Sequence, residues 1–403
     1  MIAENNLASK RLVEIGIFEI RRHIPILYTF SRICKTSNTN VTIFTTKELY
    51  LRLETYLSDK NKKNYDIILK EDNETFHSFV KRVETICNKK IDVLFINTIH
   101  ETLLDLVCYL GFNPKSKTIL LIHHVNAWLK PRLIFVIKHP IRTVDTNLAS
   151  MLIRRFILNK FDAINVIYHP LKEYIRANTN YEKKIFTLPT SVFENDKTMK
   201  KRENVKKLKI VIPGLIQEHR KDYDTVFPAF KTLFEHHKEK IKLCIPGLPV
   251  GRFGRQIYDK FKEMEKKGYD VEIFDHFVPD DTFDDILTRS DIILAPIRIK
   301  TRADGEIEEI YGKTVGSGVV FNAIQYAKPI IVPAEFNMLP ELESSTLRYS
   351  DSVELENIME KLMSNPEKLQ ELKREALTNS QKFSLKNLQD YFEKNILKWL
   401  GEN

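Results

Sequence analysis

The chain has 403 residues and a formal net charge of +9, which is too long for one ordinary core and points to two domains. Its hydrophobic content of 43% and aromatic content of 10% exclude general disorder, and no apolar run approaches the roughly 18 residues that cross a bilayer. The excess of Lys and Arg fits nucleic acid, an anionic membrane surface or a phosphorylated small molecule as partner, and equally a set of solvated helix faces.

Residues Met1 to Lys10 are polar and lack the apolar core of a signal peptide. Short apolar runs then alternate with longer amphipathic stretches, the pattern of a parallel sheet with helices on both faces. The runs Val13–Phe18, Val41–Thr45, Tyr65–Leu69, Val93–Ile96, Thr118–Ile122, Ala163–Ile167 and Lys184–Leu188 predict strands. Pro25–Lys35, Glu74–Asn88 and Thr146–Asn159 predict helices between them. His23 follows the first of these strands, where it either lines the acceptor side of a cleft or is a plain loop histidine. His123 and His124 follow Thr118–Ile122 and should face the cleft, where a neutral imidazole can donate to a hydroxyl or take a proton. For at least one of the pair, a packed or exposed histidine is the competing reading. Cys34, Cys87, Cys108 and Cys244 have neither zinc nor redox spacing, so they are expected to be reduced thiols of a cytoplasmic protein.

From Glu194 to Lys209 the sequence is charged and aperiodic, which predicts a linker. The expected division is 1–200, 201–384 and a final segment 385–403 that crosses back to the first domain. A second series follows, with strands Lys209–Ile212, Lys242–Ile245, Val271–Phe274, Ile292–Ala295 and Pro329–Val332. Its helices are Asp224–His236, Arg255–Lys266, Thr282–Arg289 and Gly318–Ala327, and the tail Asn365–Leu400 is amphipathic. Two consecutive Rossmann-like α/β domains leave a cleft beyond the carboxyl ends of their strands.

Of the 12 glycines only Gly16 and Gly111 precede the linker. Close approach of backbone to phosphate favours glycine, so a phosphate site belongs in the second half. The densest stretch is Glu309-Ile-Tyr-Gly-Lys-Thr-Val-Gly-Ser-Gly318, ahead of an apolar helix. Lys313, the Thr314 and Ser317 hydroxyls and the first amides of that helix, at Gly318, make a diphosphate cradle. A loop that only turns the chain, with Ser317 as N-cap, explains the same residues equally well. The loop is not a Walker A motif. A second candidate is Pro213-Gly214, which follows a strand and is itself followed by Arg220 and Lys221 at a helix start. Those cations either meet phosphate oxygens or form an exposed basic turn.

These two stretches, with the strand ending Asp291-Ile-Ile-Leu-Ala-Pro296, resemble the nucleotide-sugar glycosyltransferases of GT-B fold. The likeness is greatest to the mostly retaining group that builds bacterial surface polysaccharides, and it is strongest from about Lys207 to Lys382. The resemblance implies that Gly214 and Lys221 meet the donor diphosphate, with Arg220 in place of the family's Arg where Leu215 stands. It implies that Phe277 and Val278 hold the nucleobase, that His123 or His124 contacts the donor sugar, and that Glu309 bonds sugar hydroxyls as the first of the family's two glutamates. The second glutamate position is occupied by Asn322, an uncharged partner for a ribose hydroxyl.

The implied activity is transfer of a sugar from a nucleotide-sugar donor to a saccharide or lipid-linked acceptor. No Asp-x-Asp motif stands in a suitable loop, because Asp280-Asp281 and Asp284-Asp285 lie on or beside an ordinary acidic helix. Transfer is therefore expected without metal or cofactor. Arg21, Arg22, Lys130, Arg132, Arg154 and Arg155, with Trp128 and Leu129, form a candidate surface for anionic lipid at the inner face of a membrane. Scattered solvated charge is the competing account. Nucleic acid is not expected, since no aromatic residues interleave with the basic ones. A catalytically silent GT-B domain and a nucleotide-sugar epimerase remain as alternatives.

Overall fold

The computed structural model describes residues 11–21, 23–57, 64–99, 103–130, 149–194, 207–303 and 307–402. Arg22, Arg132 and most of the expected linker lie outside the described residues.

The first half runs β1 (Val13–Phe18), α1 (Ile24–Cys34), β2 (Thr39–Thr45), α2 (Lys47–Tyr56), β3 (Tyr65–Leu69), α3 (Phe76–Lys90) and β4 (Val93–Ile96). It continues with α4 (Leu103–Cys108), β5 (Lys117–Ile122), α5 (Val125–Leu129), α6 (Ala149–Lys160), β6 (Ala163–Val166), α7 (His169–Asn178) and β7 (Lys184–Phe186). The seven strands form one parallel sheet in the order β3-β2-β1-β4-β5-β6-β7. Its central strands are rich in buried apolar residues because both faces are covered by helices. β4 is buried at every residue.

The second half runs β8 (Leu208–Val211), α8 (Tyr223–His237), β9 (Ile241–Ile245), α9 (Gly251–Lys266), β10 (Val271–Ile273), α10 (Asp280–Arg289) and β11 (Ile292–Leu294). Then come β12 (Lys300–Ala303), β13 (Ile307–Ile310), α11 (Gly318–Gln325), β14 (Ile330–Pro333), β15 (Thr346–Tyr349), α12 (Ser352–Ser364), α13 (Pro366–Gln381) and α14 (Leu385–Phe392). β10-β9-β8-β11-β14-β15 form a second parallel sheet. The predicted elements all occur, with ends shifted by a few residues. The antiparallel hairpin β12–β13 and the edge strand β15 were not expected. Both are short and half polar, so no continuous apolar run marks them.

In each sheet the chain builds outward to one side and then returns to the other. The reversals fall between β1 and β4 and between β8 and β11. Those switch points are where an open parallel sheet leaves a crevice for ligand. One apolar cluster extends from the first sheet through Ile167, Tyr168, Val315 and Val320 to one face of the second sheet. A separate cluster fills the other face of the second sheet. Helix α14 packs on the first domain: Gln389 Nε2 donates to the carbonyls of Arg32 and Lys35 at 3.0 and 2.7 Å. Beyond it, the Trp399 ring meets Phe186 at 5.4 Å.

Candidate active site

At the first switch point three segments converge. Glu19 directly follows β1 and is fully buried. Its Oε1 accepts from the Arg21 amide at 2.6 Å and its Oε2 from the Thr98 hydroxyl at 2.7 Å, so the carboxylate ties the loop after β1 to the loop after β4. Burial pushes its pKa up to about 7 against those bonds, which favour the ionised form. Asn97, at the end of β4, is fully buried, yet its Oδ1 and Nδ2 have no hydrogen-bond partner among the described residues. An unpaired buried amide is costly, and such groups accompany sites that take a partner.

The histidines meet at the same place. The His23 and His123 rings stand edge to face with centroids 4.9 Å apart. His123 Nε2 donates to the Asn97 carbonyl at 3.1 Å. A carbonyl only accepts, so Nδ1 of the neutral His123 ring is left as an acceptor. Burial, then the neighbouring His23 and His124, lowers the His123 pKa to about 3. Burial and then His124 also lower that of His23. Both rings are neutral hydrogen-bonding groups at physiological pH.

At the second switch point, Gly214 follows β8 with φ 92°, a left-handed conformation that suits glycine. A Cβ on the neighbouring Gly247 would lie 2.1 Å from the Gly214 carbonyl oxygen, so two glycines let these loops approach. Lys221 is 6% exposed, and its Nζ donates to the Pro213 carbonyl at 2.8 Å. No carboxylate pairs with it among the described residues, and burial alone lowers its pKa to about 7. Nζ lies 3.9 Å from where a Gly214 side chain would begin. Arg220 is exposed beside it. Phe277 is 69% exposed and Val278 buried, both after β10, the sheet edge two strands from β8.

The glycine-rich loop divides its residues between two tasks. Glu309 is fully buried; it accepts from the amides of Ala127 at 2.9 Å and Asn126 at 3.3 Å, so it caps α5 of the first domain. Burial raises its pKa, opposed by the Thr314 hydroxyl and these amides. The Thr314 hydroxyl is engaged inside the loop, accepting from the Ile310 amide at 2.7 Å, and the Thr314 carbonyl accepts from Val125 N at 2.9 Å. The Ser317 amide donates to the Tyr168 hydroxyl at 3.0 Å, and that hydroxyl donates to the Ser317 carbonyl at 2.5 Å. A Cβ on Gly316 would lie 2.4 Å from Ile167 and 2.8 Å from Tyr168. Thr314, Gly316 and Ser317 therefore help dock the two domains, Thr314 and Ser317 through their backbone groups, while the Thr314 hydroxyl is committed inside the loop. Ser317 is still the N-cap residue of α11, without a side-chain bond. Lys313 and Gly318 remain exposed, with open space beside Gly318, and Asn322 is half-buried one turn into α11.

The whole architecture matches known solved structures. Sucrose-phosphate synthase from Thermosynechococcus elongatus superposes with a TM-score of 0.62 at 12% identity, over 97% of this chain and 100% of that one. UDP-GlcNAc 2-epimerase from Neisseria meningitidis bound to UDP-GlcNAc gives 0.55 at 12% identity, over 96% and 100%. The α,α-trehalose-phosphate synthase (UDP-forming) from Burkholderia vietnamiensis gives 0.54 at 9%, over 98% and 100%. The chain has the GT-B fold. No family model and no curated protein matches the sequence.

In this GT-B chain the structure gathers His23, His123 and His124 at one switch point and Gly214, Arg220 and Lys221 at the other. It joins Glu309 and Thr314 to α5 and leaves Phe277 and Val278 at the sheet edge. Sequence reasoning missed Glu19, Asn97 and Tyr168. The first two each stand directly after a strand of the first sheet, Glu19 after β1 and Asn97 after β4, where a polar residue faces the crevice, so the signal was present. Tyr168 carries no such mark. The expected lipid-facing set is also corrected. Trp128 and Arg154 are each 4% exposed, because the Arg154 guanidinium stacks on the Trp128 ring and donates to the Ala127 carbonyl. Among the described residues no helix is long and apolar enough to cross a membrane.

Proposed function

We propose that the chain is a glycosyltransferase moving a sugar from a nucleoside-diphosphate donor to a saccharide or lipid-linked acceptor in surface polysaccharide synthesis. One observation carries the reading: Lys221 buries its amino group beside the end of β8, and among the described residues no carboxylate pairs with it. A buried cation of this kind is costly alone and favourable once an anion arrives. A diphosphate beside Gly214 supplies that anion, with Arg220, Lys313 and the Gly318 amide reaching its other oxygens. The base rests on Phe277 and Val278, and Asn322 meets a ribose hydroxyl.

In the transfer, the bond from the anomeric carbon to the phosphate oxygen breaks and its electron pair stays with the diphosphate. The acceptor oxygen bonds to that carbon, and its proton leaves to the departing diphosphate, with retention and without a metal. Lys221 gains most from the transition state, where charge builds on the leaving group. His123, as a neutral group, and His124 hold sugar hydroxyls. Glu309 acts by position, because its carboxylate is engaged with α5. Thermal shift against a panel of nucleotide sugars tests the donor site. A stabilising donor that shifts Lys221→Met equally overturns it, and binding without turnover points to a silent GT-B domain.

A second reading, nucleotide-sugar epimerisation, is favoured by Glu19, a buried carboxylate whose pKa near 7 suits acid–base exchange. It predicts conversion of the donor sugar with no acceptor present.

A further inference from the structure

We propose that Tyr56 of the first domain is a positioning residue for the donor nucleobase, acting through the loop of the second domain that carries Phe277 and Val278. This rests on the reading of those two residues as the base site. Helix α2 ends at Tyr56. The Tyr56 hydroxyl reaches the other domain and donates to Asp280 Oδ2 at 2.6 Å. Asp280 opens α10, three residues after Phe277.

The loop has few anchors of its own. Asp275, His276, Phe277, Pro279 and Asp280 are exposed, and Val278 is the buried member. Asp275 and His276 bond to each other at 2.9 Å. Among the described residues, the Tyr56 bond is the one hydrogen bond that ties 275–280 to another element. An aromatic platform must be held at one height and tilt to receive a base. A loop ordered only by its ligand loses part of the affinity to that ordering.

Tyr56 is held firmly enough to act as the anchor. It is half-buried, and its ring lies 5.6 Å from that of Tyr28 on α1. Arg32 in turn donates to the Tyr28 hydroxyl at 3.1 Å. Burial and then the Asp280 carboxylate raise the Tyr56 pKa, so the hydroxyl keeps its proton and remains a donor. One turn further along α10, Asp284 accepts from the Tyr326 hydroxyl, just past α11. The start of α10 is therefore pinned from two sides, by the first domain and by the helix that begins at Gly318. The orientation of the base loop depends on a residue of the domain that does not contain it.

Titration calorimetry of the full chain with UDP, GDP, ADP, dTDP and inorganic pyrophosphate tests this. Tyr56→Phe keeps the ring and removes the donor. It should weaken the nucleotide that the parent binds best by about five- to tenfold and leave pyrophosphate, which has no base, unchanged. The melting temperature serves as folding control. Asp280→Ala should reproduce the loss, and serves alone if Tyr56→Phe fails to fold. The double variant should bind no more weakly than either single one, because both changes remove the same bond. Asp280→Asn keeps an acceptor oxygen and should recover most of the affinity. Unchanged nucleotide affinity in the folded variants overturns the proposal and leaves the donor site standing. An equal loss for pyrophosphate also overturns it, since that marks a general loosening of the second domain. A parent that binds pyrophosphate but no nucleotide refutes the base loop and this proposal together, and a parent that binds none of the five refutes the donor site itself.

Discussion

Glu309 of the second domain caps a helix of the first, with its carboxylate 2.9 Å from the Ala127 amide. The same carboxylate reaches the Asn126 amide at 3.3 Å, while the Asn126 side chain donates to the Glu308 carbonyl at 2.9 Å. The hairpin β12–β13 thus holds α5, and with it His123 and His124. Glu309→Ala should lower stability by about 1–3 kcal/mol, since it leaves two inward-facing amides without an acceptor. Donor affinity should stay close to that of the parent while turnover falls. Urea unfolding and donor titration check this, and an unchanged midpoint would refute the bridging role.

Gly316 and Gly318 look alike in sequence and should respond in opposite ways. Gly316→Ala forces a methyl to within 2.4 Å of Ile167, and the cost should be about 1–3 kcal/mol of stability. Gly318→Ala meets open space and should leave the melting temperature unchanged or slightly raised. Thermal melting of the two variants side by side decides it. Equal losses would show that neither position is set by domain docking.

Lys221 should take up a proton when a nucleotide binds. With a pKa near 7 in the free protein it is largely neutral at pH 8, and a diphosphate alongside restores the ammonium. Calorimetry at pH 8 in buffers of different ionisation enthalpy should report uptake approaching about one proton, and Lys221→Met should abolish it. The stability sign follows separately. The folded pKa lies below the unfolded one, so the parent gains stability as pH rises through and above 7. Lys221→Met should therefore melt higher than the parent at and below pH 7, by a margin that shrinks as pH rises.

Glu19 should make stability fall as pH rises. Its folded pKa near 7 lies above the ordinary carboxylate value, so between the two the folded state holds the extra proton. Stability is then greatest below the unfolded pKa and declines toward and through pH 7. Glu19→Gln removes that dependence, so its melting temperature should improve relative to the parent between pH 5 and pH 8. A constant difference across that range would contradict the buried, proton-binding carboxylate.

The sequence by itself determined the two parallel sheets, their helices and the half that carries the glycines. A strand covered on both faces is mostly apolar, as β4 is throughout, and a helix on one face must repeat at its own period; both patterns are local. The placing of Gly214 and Lys221 after β8, and of His123 after β5, was legible for the same reason: a residue just beyond a buried strand lies at the crevice. The tertiary structure alone decided that Glu309 faces α5, that Gly316 is small because Tyr168 packs on it, and that Trp128 is covered by Arg154. Each of these is a contact between residues distant in the chain. It rests on packing and on one buried partner answering another, and neither leaves a periodicity that a single stretch of sequence could carry.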